Sequence, residues 1–151
     1  MENGSTNWSQ SVTAVVIRDG KVLLARHTYG PGKGLLIVPG GYLNYGEMPQ
    51  EAIVREYLEE TGVLIRPGEL IGMRFNTKDW YAAFRAEYVS GEPRSDHDEN
   101  SEALWVDITE ALTREDVPDL TRKLIECAAG RGFSEIPYSG RTPPYQLFGA
   151  E

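Results

Sequence analysis

The segment from Pro49 to Thr61 constrains the fold most strongly, because its pattern predicts a helix with two chemically different faces. Proline at the first turn and Gly62 just after the last residue mark the two ends of that helix. At about 100° per residue, the apolar side chains that share one face are Ile53, Val54, Tyr57 and Leu58. A helix with one apolar face must bury it, so we expect other elements to pack on this segment.

Apolar runs rich in β-branched residues supply those elements. They predict strands over residues 11–18, 21–27, 35–38, 63–75, 80–89 and 102–107. Asp19 and Gly20 separate the first two runs, and Asp-Gly in that position predicts a tight hairpin. A second helix is predicted from Leu120 to Ala129. Strands on both sides of one helix, with another helix late in the chain, predict an α/β sandwich.

The length of the chain predicts one domain. A chain of 151 residues can bury about two-thirds of its unfolded surface in a single core. We place the domain at residues 11–130, between a flexible N-terminal segment of residues 1–10 and a C-terminal tail of residues 131–151. The tail combines prolines with four aromatic residues. We therefore expect it to wrap the domain, to cover a second subunit in a homodimer, or to be disordered.

The charge balance excludes two classes of partner. The chain has 15 Lys and Arg residues against 23 Asp and Glu residues, which gives a net charge of −8. Duplex DNA and anionic membranes both need clustered positive charge, so neither is an expected partner. The one cysteine cannot form an intrachain disulfide, and the polar N-terminus contains no apolar signal segment. We expect a cytoplasmic protein.

Three carboxylates, Glu56, Glu59 and Glu60, form a stripe outside the apolar face of the predicted helix. They repel one another at this spacing, and they occupy the last turns, where the helix dipole favours cations. The segment contains no lysine, and Arg55 is its one cation. A solvated surface would explain the stripe, but its position against the dipole favours a site for a hard divalent ion such as Mg²⁺. Such an ion would let an acidic protein bind a polyphosphate.

Residues 41–63 read GYLNYGEMPQEAIVREYLEETGV. This segment resembles the signature of the Nudix hydrolases, whose seven fixed identities are matched by Gly41, Glu47, Arg55, Glu56, Glu59, Glu60 and Gly62. Val63 matches the final apolar position, and Tyr57 replaces the usual aliphatic residue. The resemblance implies a Nudix-type α/β/α sandwich with a mixed β-sheet over about residues 10–130.

The same resemblance implies an activity, the hydrolysis of a nucleoside diphosphate linked to another group, with Mg²⁺ or alternatively Mn²⁺. The implied metal ligands are Glu56, Glu60, the carbonyl group of Gly41 and, unless it acts as the base, Glu59. Arg55 and Glu47 would brace the loop and orient these carboxylates. A water molecule would attack phosphorus while a carboxylate removes its proton.

The identity of that base is left open between two positions. Glu59 on the helix is one candidate. A later loop supplies the others, since it contains Asp96, Asp98, Glu99 and Glu102. Glu102, three residues before Trp105, is the preferred loop candidate, although a solvated glutamate would look the same in the sequence.

Substrate contacts are predicted from residue type and position. Arg26 ends the second predicted strand and Lys33 lies in a glycine-rich loop, so both are candidates for binding phosphate, or are surface charges. Trp80 and Tyr81 are candidates for stacking on a nucleobase, or are core aromatics.

The leading hypothesis is a pyrophosphohydrolase of small nucleotide-derived substrates, with ADP-ribose or a nucleoside diphosphate sugar favoured. Within the same class, a MutT-like hydrolase of oxidised nucleoside triphosphates is the alternative. The rival from another class is a catalytically silent module that only binds a nucleotide. The intact glutamates argue against silence, because a binding module has no need of all of them.

Overall fold

The computed structural model describes residues 10–130, 133–140, 143 and 145–150. Its strands are β1 (Gln10–Arg18), β2 (Lys21–His27), β3 (Leu36–Ile37), β4 (Gly40–Tyr42), β5 (Leu64–Asn76), β6 (Trp80–Ser90), β7 (Asn100–Asp107), β8 (Ser134–Glu135) and β9 (Tyr145–Gly149). Its helices are α1 (Pro49–Thr61), α2 (Ile108–Ala111) and α3 (Asp119–Cys127). The predicted helix at 49–61 is confirmed at both ends. The flexible N-terminal segment lies outside the described residues, apart from Gln10.

The strands form one mixed sheet in the order β3-β2-β1-β6-β5-β9-β8. β1 pairs in parallel with β6 and antiparallel with β2, and the first residues of β1 also pair with β4. The β1–β2 hairpin turns at Asp19 and Gly20, whose φ angles of 52° and 75° lie in the left-handed region. The predicted hairpin and the predicted mixed α/β sheet are both confirmed.

Helices cover both faces of this sheet, because side chains alternate along β1. Val12, Ala14 and Val16 pack on the α1 side, together with Ile53 and Tyr57 of the helix. Val15 faces the other way into a second core, which includes Ile71, Leu124 of α3 and Leu147 of β9. The molecule is therefore a three-layer α/β/α sandwich. No helix among the described residues is both long and apolar enough to span a bilayer.

Two segments add strands that the sequence patterns did not predict. Gly40 and Gly41, just after the predicted strand at 35–38, lie in β4, opposite Thr13 and Val12 of β1. A methyl group on Gly40 would approach Cα of Thr13 to 3.1 Å, so the close pairing requires glycine. The described part of the C-terminal tail joins the sheet, since β9 pairs with β5 and Leu147 is fully buried.

Candidate active site

The last two turns of α1 carry the carboxylates that were predicted to bind a metal. Glu56 and Glu60 are four residues apart, so helical periodicity brings them to the same side of α1. Glu99, from the loop before β7, joins them. One carboxylate oxygen from each of the three lies within 4.8 Å of the other two. We call Glu56, Glu60 and Glu99 the carboxylate cluster.

Glu60 has the least ordinary environment of the three. The residue is only 3% exposed, and its Oε2 atom has no hydrogen-bond partner among the described residues. Burial, a hydrogen bond with Glu56 and the nearby charge of Glu56 hold the pKa of Glu60 well above its usual range. A buried carboxylate oxygen without a partner is costly. A divalent cation among these oxygens would remove that cost, so the cluster fits Mg²⁺ or Mn²⁺.

Gly41 packs directly on the Glu56 carboxylate. A methyl group placed on Gly41 would lie 2.6 Å from Cδ of Glu56, so no larger residue fits here without displacing the carboxylate. The register of β4 with β1 sets this approach, because Gly41 pairs with Val12. The backbone of β4 therefore borders the carboxylate cluster at Glu56.

Arg55 holds the acidic side chains on one side of the cluster. Its Nε and Nη2 atoms donate to the two carboxylate oxygens of Glu47, at 2.7 Å and 3.0 Å. Nη1 donates to Glu56 and to Glu59, at 3.2 Å each, and Nη2 also reaches the carbonyl oxygen of Tyr42. The guanidinium group lowers the pKa of Glu47. Arg55 and Glu47 thus connect the loop after β4 to α1, the bracing geometry that was predicted for them.

Glu59 lies beside the cluster rather than in it. Its side chain is 59% exposed, and Arg55 Nη1 contacts its Oε1 at 3.2 Å. A carboxylate in this position is open to solvent and can accept a proton from a water molecule.

A cation from a distant loop lies at the C-terminus of α1, where the helix itself has none. Gly62 ends the helix with φ at 76°, and its N–H donates to the carbonyl oxygen of Leu58. The Arg94 N–H donates to the carbonyl oxygen of Thr61 at 2.9 Å. The guanidinium group of Arg94 covers Gly62 closely enough that a methyl group there would lie 2.9 Å from its Cζ. This charge offsets the unfavourable position of the glutamates relative to the helix dipole.

Glu102, the preferred loop candidate for the base, is engaged elsewhere. It lies in β7 opposite Arg26 of β2, and Arg26 Nε donates to its carboxylate at 2.6 Å. Arg26 Nη1 also donates to Asp116 and to the carbonyl oxygen of Gly34. The Glu102 hydrogen bond is the main cause that raises the pKa of Arg26. Arg26, a candidate for binding phosphate, thus uses its guanidinium group to connect β2 with β7 and with the segments that contain Gly34 and Asp116.

The residue that reaches the cluster in place of Glu102 is Glu99. The pairing of β2 with β7 shifts between Arg26 and His27, which face Glu102 and Asn100, so Ser101 is an extra residue in the ladder. Glu99 was one of four acids in the predicted loop, but nothing in the sequence marks the shift. The acidic composition of this loop was the one sequence signal that pointed towards Glu99.

A cavity of about 590 Å³ lies on the α3 side of the sheet. Tyr81 lines it, together with Arg74, Ile37 of β3, Gly32 of the β2–β3 loop and Leu120 of α3. The guanidinium carbon of Arg74 lies 5.0 Å from the centre of the Tyr81 ring. Burial raises the pKa of Tyr81 to about 12, and the charge of Glu60 contributes to that shift. The cavity has an aromatic and cationic lining, and none of the three cluster carboxylates is among the residues that line it.

Two predicted substrate contacts lie outside this lining. Trp80 is 58% exposed, its ring packs edge-on against Phe75 at 5.4 Å, and it is not among the residues that line the cavity. Lys33 is exposed in the β2–β3 loop. The structure therefore brings Tyr81 to the cavity and does not bring Trp80 there.

Tyr29 was not singled out from the sequence. It is 54% exposed in the β2–β3 loop, and its ring stacks on His27 with centroids 5.9 Å apart. Partial burial and the charges of Glu99, Glu60 and Glu56 raise the pKa of its phenol. The loop that carries Tyr29 also lines the cavity, through Pro31, Gly32 and Leu35.

Comparison with known proteins gives a consistent family. The NUDIX domain family matches residues 8–126. NAD-capped RNA hydrolase NudC of Vibrio atlanticus is 32% identical over 122 residues, covering 76% of this chain and 43% of that protein. An ADP-ribose pyrophosphatase of Methanocaldococcus jannaschii is 38% identical over 63 residues, covering 42% of this chain and 37% of that protein.

A solved structure has the same fold. The MutT NUDIX hydrolase from Burkholderia pseudomallei superposes with a TM-score of 0.69 at 24% identity, covering 80% of this chain and 98% of that one. At this identity the likeness concerns the fold alone. The chain spans less than half the length of the two sequence relatives, at 43% and 37%.

Proposed function

The chain belongs to the NUDIX domain family, and on that premise we propose that it is a metal-dependent pyrophosphohydrolase. Its substrate is a nucleoside diphosphate linked to another group. The observation that carries this proposal is the carboxylate cluster, with a buried Glu60 oxygen that has no partner among the described residues. A protein surface gains nothing from such an arrangement unless a cation completes it.

The residues that would hold the metal are the carboxylates of Glu56, Glu60 and Glu99, and the implied further ligand is the carbonyl group of Gly41, whose backbone packs on Glu56. Glu59 was an alternative ligand, and its exposed position beside Arg55 favours a different use. A bound Mg²⁺ or Mn²⁺ supplies positive charge that neutralises phosphate oxygens and makes water more acidic. Arg55 keeps Glu56 in place by hydrogen bonding to it and to Glu47.

The chemical step needs a group that takes a proton from water. The oxygen of that water bonds to one phosphorus atom while the bond from this phosphorus to the bridging oxygen breaks, and a carboxylate receives the proton. Glu59 and Glu99 are the two candidates. We move the loop candidate from Glu102 to Glu99, because Glu102 is paired with Arg26 at 2.6 Å.

The nucleoside part of the substrate is assigned to the cavity lined by Tyr81 and Arg74. Its volume of about 590 Å³ accommodates a base and ribose, and Tyr81 offers a ring for stacking. ADP-ribose or a nucleoside diphosphate sugar remains favoured. ADP-ribose and NAD, named in two relatives, share an adenosine diphosphate joined to ribose. The small-molecule substrate and the cytoplasmic location belong to this proposal, and a homodimer stays a prediction.

A MutT-like activity on oxidised nucleoside triphosphates is the second candidate. The observation that favours it is the likeness to a MutT protein from Methanosarcina mazei, whose solved structure superposes with a TM-score of 0.66 at 27% identity and covers 82% of this chain. The two activities differ in their products. Cleavage of ADP-ribose gives AMP and ribose 5-phosphate, whereas MutT-like cleavage gives a nucleoside monophosphate and pyrophosphate.

The test is a substrate panel of ADP-ribose, UDP-glucose, NAD and 8-oxo-dGTP, with Mg²⁺ and with Mn²⁺, and with products separated by chromatography. We expect turnover of a diphosphate-linked substrate that EDTA abolishes. Glu60→Gln is the matched control, because it removes one charge and keeps the shape of the side chain. Nucleotide binding without turnover of any substrate would favour the silent binding module instead.

The same assay separates the two bases. Glu59→Gln and Glu99→Gln are compared at saturating Mg²⁺ with the best substrate. Loss of a general base lowers turnover by about 10²–10⁴-fold, so the variant that lacks the base should fall by that amount with little change in Mg²⁺ affinity. Glu99→Gln also removes a proposed metal ligand, so a loss of turnover in it identifies the base only when its Mg²⁺ affinity is unchanged. Mild effects from both would remove both assignments.

A further inference from the structure

The position of Glu99 poses a physical problem. The residue is exposed on a loop, and its carboxylate lies within 4.8 Å of those of Glu56 and Glu60. Like charges at that distance repel, and a free loop would move away from α1. Burial raises the pKa of Glu99, and the charge of Glu56 raises it further. Contacts elsewhere in the loop must therefore hold Glu99 against this repulsion.

The next residue, Asn100, supplies the contact to α1. Asn100 is only 1% exposed, and its Nδ2 donates to the carbonyl oxygen of Glu60 at 2.8 Å. Glu60 lies in the last turn of α1, where carbonyl groups lack partners inside the helix. One side chain thus connects the residue next to Glu99 with the backbone of Glu60, a second member of the cluster.

The backbone of Asn100 is fixed from the other side. Its N–H donates to Oδ1 of Asp96 at 3.0 Å, and its carbonyl oxygen accepts from Oγ of Ser95 at 2.8 Å. Thr28 of the β2–β3 loop holds the segment further, because its N–H donates to the carbonyl oxygen of Glu99 at 3.1 Å. Fixing Asn100 in this way leaves the Cα atom of Glu99 little freedom.

Stability alone does not account for a buried asparagine here. The Oδ1 atom of Asn100 has no hydrogen-bond partner among the described residues, so burial of this amide carries a cost that offsets part of the gain from Nδ2. The net stabilisation of the fold is therefore small, and the consequence of the contact is geometric.

We propose that Asn100 is a positioning residue for the carboxylate cluster: its hydrogen bond to the Glu60 carbonyl oxygen sets the separation between the carboxylates of Glu99 and Glu60. The inference rests on the proposed function, since it takes Glu99 as a metal ligand. Asn100 acts before any substrate arrives, by keeping Glu99 where a cation can use it.

The experiment measures Mn²⁺ binding to the whole chain without substrate, from the electron paramagnetic resonance signal of free Mn²⁺. Asn100→Leu removes the donor in a side chain of similar size, and Asn100→Ser removes its reach while remaining polar. Supporting residues of this kind affect metal affinity by about 10–100-fold when they are changed. We expect both variants to raise the Kd for Mn²⁺ by about tenfold.

Thr61→Val is the matched control. Thr61 is fully buried at the same helix end. Its Oγ1 donates to the carbonyl oxygen of Tyr57 and accepts from the Val63 N–H, so the variant removes two hydrogen bonds whose partners lie outside the Glu99 loop. We expect Thr61→Val to lower the melting temperature and to leave the Kd within about twofold, well inside the tenfold effect expected at Asn100. An equal loss of affinity in Thr61→Val would overturn the proposal.

A double-mutant cycle tests whether Asn100 acts through Glu99. Glu99→Gln alone should weaken Mn²⁺ binding, and adding Asn100→Leu to it should weaken binding little further. Full additivity, or folded Asn100 variants with unchanged affinity, would contradict the positioning role. If Glu99→Gln itself leaves Mn²⁺ affinity unchanged, the assignment of Glu99 as a ligand fails, whatever Asn100 does.

Discussion

Two arginine-centred clusters in this domain use the same ion-pair chemistry with different outcomes. The Arg55 cluster consists of Arg55, Glu47, Glu56 and Glu59. The Arg26 cluster consists of Arg26, Glu102, Asp116, Arg114 and Glu110. The two central side chains are almost equally exposed, at 26% for Arg55 and 25% for Arg26. Burial of the arginine therefore does not distinguish a proposed active site from a structural network.

The balance of charge distinguishes them. In the described residues, the Arg26 cluster sets two arginines against three carboxylates. The Arg55 cluster has one arginine for three carboxylates, and Glu60 and Glu99 adjoin it without a basic partner of their own. The first network is close to neutral by itself. The second is short of positive charge, which is the condition that a bound cation meets.

The pKa values of buried or paired carboxyl groups shift in opposite directions at the two clusters. The Arg114 guanidinium beside Asp116 holds the pKa of that carboxyl well below its usual range. Burial and the proximity of Glu56 hold the pKa of Glu60 well above it. The comparison teaches that a buried acid with a raised pKa, and not an arginine surrounded by acids, marks the part of the molecule suited to a metal.

The strongest test of this comparison is a pair of charge removals. Glu56→Gln should lower kcat by about 10³-fold or more, the scale of losing a preorganised electrostatic group. Glu102→Gln, in the Arg26 cluster, should stay within a few-fold of the wild type. Steady-state kinetics at saturating Mg²⁺ measures both. A severe loss in Glu102→Gln would restore that residue as the base and break the contrast.

A second pair of variants exchanges the central arginines. Arg55→Lys loses the two parallel bonds to Glu47, so it should weaken Mn²⁺ binding by about 10–100-fold. Arg26→Lys should leave Mn²⁺ affinity unchanged and lower the melting temperature by a few degrees, because it loses the contacts to Asp116 and Gly34. Free-Mn²⁺ titration and thermal unfolding give the two readouts. Equal metal affinities in the two variants would mean that Arg55 is only structural.

The smallest expected effect is a pH dependence of stability in the metal-free protein. The pKa of Glu60 is raised above its ordinary 4.5, so the folded chain binds this proton more tightly than the unfolded chain. The contribution of Glu60 to the free energy of unfolding therefore falls as the pH rises above about 4.5. One such proton changes stability by at most about 1.4 kcal/mol per pH unit, or about 3–6 °C in melting temperature.

Glu60→Gln should remove that decline between pH 6 and 8, as measured by thermal unfolding in EDTA. Asp116 has the opposite sign, since its lowered pKa contributes stability that is present above its unfolded value and lost as the pH falls below about 4. Asp116→Asn should therefore flatten the acid limb of the same profile and leave the decline above pH 6 intact. A wild-type profile without the upper decline would contradict the raised pKa of Glu60.

Local patterns carried enough information for much of this fold. The helix at Pro49–Thr61 follows from its periodicity, its proline and Gly62, all of which act within a few residues. The hairpin follows from Asp19-Gly20, whose φ angles the turn requires. The carboxylate stripe on α1 is likewise a matter of helical spacing. Sequence alone could therefore locate the half of the candidate site that lies on one helix.

The other half depended on contacts between distant segments. The pairing of β2 with β7 shifts its register at Ser101, which is an extra residue in β7. Because of this shift, Glu102 pairs with Arg26 while Glu99 reaches the carboxylate cluster. Three other features also depend on contacts between distant segments: the pairing of Gly40 in β4, the pairing of β9 with β5, and the position of the Arg94 guanidinium over Gly62. Spacing along a helix is set by covalent geometry and short hydrogen bonds, so a sequence determines it directly. Which loop acid reaches that helix depends on the register in which two remote strands pair. That register is set only in the folded chain.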